Sequence, residues 1–339
     1  MKKLMNNPYN ACSESLEGMC LAHNNLIEKH PDCNVVVKKS LSDESRVRIV
    51  IGGGSGHEPV FAGFVGDGMA DAAASGDVFT SPSVDLVQRA IEAAGGKNGT
   101  ILIYGNYQGD ILNFDMAQEL CRMDGKRVET VLVWDDVASA SPENKDVRRG
   151  TAADLLVIKI AGAAAGRYDD FDEVLNAVMK ARDNCRSIGV ALSSCTLPTV
   201  GKPIFTLAED RMMLGMGLHG EAGVEEIPLL TADETADIML DSILKDDLGL
   251  KKGDKAIVLV NGYGSTTLME LFIINRRAVQ ALEEKGIHVY ANPVGNYCTS
   301  LEMAGCSVTL MKLDDELKSL FDAQANSPGF VKNEMRILI

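Results

Sequence analysis

Val47-Arg-Ile-Val-Ile-Gly-Gly-Gly-Ser-Gly-His-Glu-Pro59 is the stretch on which the fold of this chain turns. Its β-branched half, Val47–Ile51, reads as a strand, and Gly52–Gly54 stop it. Pro59 suits the first turn of a following helix. Strand, glycine turn and helix in that order are the opening of a parallel α/β unit. The pattern recurs outward from here. Thr100-Ile-Leu-Ile-Tyr104, Thr130-Val-Leu-Val-Trp134 and Leu155-Leu-Val-Ile158 read as further strands. Between them, Val84–Ala94 places Val84, Leu86, Val87, Ala90 and Ile91 on a broad apolar face, and Ile111, Leu112, Phe114, Ala117 and Leu120 do the same after Asp110. A second set follows: Ser187–Leu192, Lys255–Val260, a helix over Thr267–Leu282, Ile287–Tyr290 and Val308–Met311. The polar helical stretch Gly166–Arg186 ends at a plausible join. The expected fold is therefore α/β, with two α/β domains of mostly parallel or mixed sheets, 1–186 and 187–339. The residues from Asn326 on, with their Ser-Pro-Gly, read as a loosely packed tail.

The chain has 339 residues, room for two cores at about 150 residues per domain. Lys and Arg number 33 against 48 Asp and Glu, a net charge of −15. So acidic a chain repels phosphate backbones and anionic membranes, which argues against nucleic acid and membrane as partners. The 46% apolar share is that of a globular protein, and no apolar run reaches the ~18 residues of a membrane helix. Two lysines near the start lack the apolar stretch of a secretory signal, so the expected compartment is the cytoplasm. The eight cysteines are scattered with no Cys-x-x-Cys pair, and read as small buried apolar residues rather than a metal site or disulfide framework.

Three segments carry possible chemistry. In the first, the glycines of Gly52–Pro59 allow close approach of a ligand, and a turn at a helix start presents free N–H groups to oxygen-rich ligands. A dinucleotide fingerprint needs a glycine where His57 stands, and no phosphate-binding G-x-x-x-x-G-K-[ST] string occurs. The positive end of the expected helix keeps His57 neutral, able to act as a general base or simply as a cap. In the second, Asn106–Phe114, Asp110 opens a helix, as an N-cap, a catalytic acid or both. Ser81 similarly reads as the cap of the helix after Pro82. The turns at Gly54, Ser81 and Asp110 all follow strands of one parallel sheet, and ligands bind beyond the carboxyl ends of such strands. In the third, Gly215–Gly223, glycines leave room around His219, whose neutral ring nitrogen can add to a carbonyl carbon. Glu221 is placed to orient that ring, unless it is only a solvated charge. His23, His30 and His288 lie in ordinary contexts.

Together these motifs make the chain resemble the ketone-binding K subunit of dihydroxyacetone kinase, in its separate-subunit form. The resemblance runs from about residue 10 to about residue 325. Its markers are Gly52-Gly-Gly-Ser-Gly-His-Glu-Pro59, Phe79-Thr-Ser-Pro82, Asn106-Tyr-Gln-Gly-Asp-Ile-Leu-Asn-Phe114, Gly162-Ala-Ala-Ala165, Gly201-Lys-Pro203, Gly217-Leu-His-Gly-Glu221, Leu268-Met-Glu-Leu-Phe272 and Tyr297-Cys-Thr-Ser-Leu-Glu-Met303. It implies a homodimer of two-domain subunits that holds dihydroxyacetone or a related ketose as a hemiaminal on His219. His57 and Asp110 then bind the substrate hydroxyl and help remove its proton, while Gly54, Ser55, Gly56 and Ser81 add hydrogen bonds. The resemblance implies no metal and no cofactor on this chain. ADP or ATP with Mg²⁺ belongs to an L-type nucleotide-binding partner. Gly105 stands where the family pattern has a lysine in the substrate pocket, which opens volume for a four-carbon ketose such as erythrulose. A non-catalytic ketose-sensing regulator is the competing reading within the family, and a nicotinamide-dependent polyol dehydrogenase the one outside it.

Overall fold

The computed structural model describes residues 2–41 and 43–333. The chain forms two compact units. The first holds 4–132, 154–181 and 315–333; the second holds 2–3, 133–153 and 182–314. The expected join at 186 falls beside one crossing, at 181/182. The chain also crosses at 132/133, 153/154 and 314/315, because two helices and the chain end return to the first core.

In chain order the strands are β1 (Ile27–Lys29), β2 (Val35–Lys38), β3 (Arg48–Ser55), β4 (Ala72–Val78), β5 (Thr100–Gly105) and β6 (Val128–Val133). They form one sheet in the order β1-β2-β4-β3-β5-β6. Its centre is parallel: Val50 pairs with Ala72 of β4 and Ile49 with Ile101 of β5. Both faces of β3 and β5 are covered, which explains their unbroken apolar runs. The strands β7 (Cys185–Ser193), β8 (Arg211–Leu214), β9 (Glu225–Pro228), β10 (Lys255–Gly262), β11 (His288–Ala291), β12 (Val294–Gly295) and β13 (Ala304–Leu313) build the second sheet. Its order is β11-β10-β13-β7-β8-β9, with β12 paired to β10. Only β11 and β12 run parallel to β10; the pairs through β13, β7, β8 and β9 are antiparallel. The sheets are mixed.

The helices are α1 (Ala11–Ala22), α2 (Val84–Ala94), α3 (Gln108–Met123), α4 (Ala153–Arg167), α5 (Phe171–Asp183), α6 (Ala232–Leu244), α7 (Leu268–Glu284) and α8 (Asp315–Asp322). Local chemistry starts several of them. Thr267 and Glu270 form a reciprocal capping box on α7, and Thr231 and Glu234 do so on α6. Ser83, not Ser81, caps α2 by accepting from the Leu86 N–H.

Four expectations are corrected. Leu155–Ile158 is no strand but the middle of α4, whose residues 153–165 are all buried. A short apolar run covered on every side has the same pattern in a helix and in a buried strand. Leu112 is 70% exposed, because the buried face of α3 runs through Phe114, Ala117, Gln118 and Cys121. No helix follows Pro59: turns lead to a three-residue 3-10 segment, Ala62–Phe64. The start of the supposed tail is also ordered. Ala325–Asn326 pairs with Val331–Lys332, Asn326 bridges to Asp67, and Ser327 is buried. The residues beyond 333 lie outside those described. Seven of the eight cysteines are buried, Cys33 partly, and all are free thiols.

Glycine in α4 is explained by contact. A Cβ on Gly162 would lie 2.5 Å from the backbone of Gly68 and Met69. Gly18 on α1 has no such neighbour within 4 Å. Gly162→Ala therefore costs about 1–3 kcal/mol by overpacking, despite the better helix propensity of alanine. Gly18→Ala gains about 0.5–1 kcal/mol. Urea unfolding of the two variants checks the opposite signs.

Candidate functional site

In the first unit, six of the expected residues gather at one end of three neighbouring strands. Gly54 and Ser55 end β3, with Gly56 and His57 just beyond; Ser81 follows β4; Asp110 follows β5. This is the carboxyl end of the parallel triplet, where such sheets place ligands. The glycines are needed for contact. A Cβ on Gly53 would overlap the ring of Phe61, and Gly56 has φ +97°, a conformation that side chains disfavour. Ser55 Oγ donates to the Gly76 carbonyl at 2.7 Å and so ties the end of β3 to β4. The Phe79 N–H donates to the Ser55 carbonyl at 2.9 Å. The Gly56 N–H donates to the Glu58 carboxylate at 3.0 Å.

His57 is 3% exposed, and its ring stacks on Phe79 with centroids 4.8 Å apart and planes 8° from parallel. Phe79 holds φ +58°, a strained conformation for a non-glycine residue. The sequence reasoning missed this ring, because nothing in the residue types announces a left-handed phenylalanine. The helix-dipole argument for a neutral His57 does not apply, since no helix begins after Pro59. Asp110 is also not an N-cap. Tyr107 holds that position, and Asp110 sits in the first turn of α3, buried at 9% exposure. A carboxylate in a first helical turn is favoured by the helix dipole. Ser81 Oγ accepts from Asn113 Nδ2 at 3.1 Å and donates to the Pro82 carbonyl, so it ties the β4 turn to α3 instead of capping α2.

His219 belongs to the second unit. The turn that carries it is closed by the Gly220 N–H donating to the Gly217 carbonyl at 3.1 Å and by the Gly217 N–H donating to the Glu221 carbonyl at 3.2 Å. Ser300 Oγ holds the Leu218 carbonyl, and Leu218 itself is buried. The imidazole is a quarter exposed. Glu221 stands beside it: Oε1 lies 3.0 Å from Nδ1, and Oε2 accepts from the His219 N–H at 3.0 Å. Burial alone would raise the Glu221 pKa. The hydrogen bonds and charge of His219 outweigh it and hold the carboxyl down at about 2. At neutral pH this carboxylate is ionised and can only accept, so Nδ1 carries the proton. In the neutral ring, Nε2 then keeps the lone pair. That is the form of imidazole able to attack an electrophilic carbon.

Among the described residues, no group of three or more His, Cys, Asp or Glu side chains is arranged to hold a metal ion, and no helix is long and apolar enough to cross a membrane.

The Dak1 domain family pattern matches residues 17–329 of this chain. The chain is 45% identical over 331 residues to the Listeria innocua protein named PTS-dependent dihydroxyacetone kinase 2, dihydroxyacetone-binding subunit DhaK. That match covers 97% of this chain and 99% of the relative. An L-erythrulose kinase of Pectobacterium atrosepticum is 41% identical over 338 residues, covering 99% of this chain but 57% of the relative. The solved structure of a dihydroxyacetone kinase operon co-activator, DhaQ, matches with a TM-score of 0.89 at 30% identity, over 95% of this chain and 98% of that one. The matched span includes every histidine, aspartate and glycine placed above, and the chain belongs to the Dak1 domain family.

Proposed function

We propose that this chain is the ketose-binding subunit of a dihydroxyacetone kinase. It holds its substrate on His219 while a separate L-type subunit supplies the phosphoryl group. The observation that carries the reading is the contact between His219 Nδ1 and the ionised Glu221. Nε2 attacks the keto carbon of dihydroxyacetone, and the C=O π pair moves onto oxygen. The resulting alkoxide takes up a proton, and the ring gives up the Nδ1 proton towards Glu221. The product is a hemiaminal in which nothing leaves, so the protein gains the mass of the whole ketose. Glycerol has no carbonyl and forms no such bond. His57 and Asp110 bind the substrate hydroxyl and assist loss of its proton as that oxygen attacks phosphorus. Gly54, Ser55, Gly56 and Ser81 belong to the same substrate-binding set.

The relative at 45% identity supports this reading through its name, a dihydroxyacetone-binding subunit of a phosphotransferase-system-dependent kinase. The chain contains neither of the two common nucleotide-binding glycine motifs, which agrees with ADP or ATP and Mg²⁺ residing on the partner. The reading includes a homodimer in the cytoplasm. Gly105, buried at the end of β5, favours a second substrate. With no side chain there, a four-carbon ketose gains volume, and one relative is named an L-erythrulose kinase. The co-activator relative keeps a regulatory role in view. His57, Asp110 and His219 together favour catalysis.

Intact-mass measurement after incubation with dihydroxyacetone, and separately with L-erythrulose, tests the covalent step. The expected result is a gain of one whole ketose that disappears in His219→Ala. No gain with either sugar removes the hemiaminal reading. His57→Ala and Asp110→Ala should still form the adduct but transfer phosphoryl at least about 10²-fold more slowly, as expected for a lost general base. Turnover with an added L-type subunit checks this, and an unchanged rate removes the assigned role. Glu221→Gln leaves an amide able to pair with either tautomer of the ring, and the adduct should form more slowly at every pH where the imidazole is neutral, because the native carboxyl, held down at about 2, is ionised throughout that range.

A further inference from the structure

The turn that carries His219 is held from behind by one guanidinium. Arg149 Nε donates to Asp136 Oδ2 at 2.9 Å, and Nη2 lies 2.7 Å from the same oxygen. Nη2 also donates to the Gly215 carbonyl at 2.9 Å, where the glycine-rich segment begins. The base of the clamp is rigid. Asp136 is 2% exposed, its other oxygen accepts from the Ala138 N–H at 3.0 Å, and its own N–H donates to the Arg149 carbonyl at 3.1 Å. The Arg149 N–H donates to Ser139 Oγ at 3.0 Å.

The remaining nitrogen reaches the catalytic turn. A Cβ on Gly217 would lie 2.5 Å from Arg149 Nη1, and it would overlap Glu221 Oε2. Guanidinium and carboxylate thus crowd the same bare α-carbon. Residue 217 is a glycine here for want of space, not for an unusual φ. Arg149 Nη1 and Glu221 Oε2 flank the Gly217 α-carbon, so the guanidinium acts on the carboxylate through its field and by closing that side of the turn.

We infer that Arg149 is a positioning residue for His219: anchored on Asp136, it holds Glu221 against the imidazole and thereby fixes which ring nitrogen carries the proton. A partner of this kind, one step removed from the reacting group, sets tautomer and orientation without touching substrate. Lysine cannot replace it, because a single ammonium cannot serve Asp136, Gly215 and the Glu221 side at once. Stability alone is a weak reason for keeping such a pair, since buried ion pairs contribute little beyond an apolar replacement. The inference rests on the reading of His219 as the nucleophile.

Arg149→Lys is the informative variant, because it keeps a cation beside Asp136 and should fold; circular dichroism and thermal unfolding confirm that first. ¹⁵N chemical shifts of the His219 ring then report the tautomer without any ketose. The wild type should show a protonated Nδ1, and Arg149→Lys a mixture of both tautomers. Adduct formation with dihydroxyacetone should slow by about 10- to 100-fold, the usual cost of losing such a partner. The double variant Arg149→Lys/Glu221→Gln should be no slower than Glu221→Gln alone, since both act through one contact. Wild-type ring shifts in Arg149→Lys, or rate losses that multiply in the double variant, would overturn the inference. Absence of any adduct in the wild type would count against the nucleophile reading, while the ring shifts would still decide the role of Arg149.

Discussion

The close packing of bare backbone at the carboxyl end of β3 is the constraint on which the first unit depends. Gly52, Gly53 and Gly54 leave no side chain between the strand and its neighbours, so the Ala74 carbonyl, the Phe61 ring and the Phe79–Thr80 backbone come directly against it. This brings the turn after β4 beside the turn after β3, and Phe79 beneath His57. The cost is concentrated in a few residues, above all the left-handed Phe79. The surrounding parallel triplet, buried on both faces, holds that strained geometry.

The second unit solves a different problem by different means. On the proposed role of His219, the imidazole must be neutral, must hold its proton on Nδ1 so that Nε2 is bare, and must stay reachable. Glu221 fixes the proton's place through one short contact, and the quarter exposure of His219 keeps the ring reachable. Buried Leu218 and the Ser300 hydroxyl fasten the turn to the core below. Each unit therefore carries its own chemically prepared group. In the proposed mechanism carbonyl capture falls to His219, and proton handling to His57 and Asp110.

Membership of the Dak1 family and the Gly105 substitution pull in different directions. The family favours dihydroxyacetone as substrate, whereas the missing side chain at the end of β5 favours something larger. The proposed covalent capture fits both, because a hemiaminal does not depend on the length of the rest of the sugar. Selectivity between ketoses then rests on volume and hydrogen bonding around the captured carbon, a modest effect per methylene or hydroxyl.

Periodicity and turn chemistry determined much of this protein from sequence alone. The apolar strand Val47–Ile51 and the helix after Thr267 were legible, because local residue types dictate local backbone. Collinear motifs made the family legible too. Other features were decided only by packing. Leu155–Ile158 is helix where a strand was read, because a run enclosed on every side shows no period to tell the two apart. The chain returned to the first unit after residue 314, so the start of the supposed tail pairs there, Asn326 with Asp67. The expected helix after Pro59 did not form, and Asp110 and Ser81 took positions other than caps. The contacts of Arg149 with Asp136, Gly215 and Gly217 join residues far apart in the chain, and sequence alone carries no signal for contacts made only when distant segments fold together.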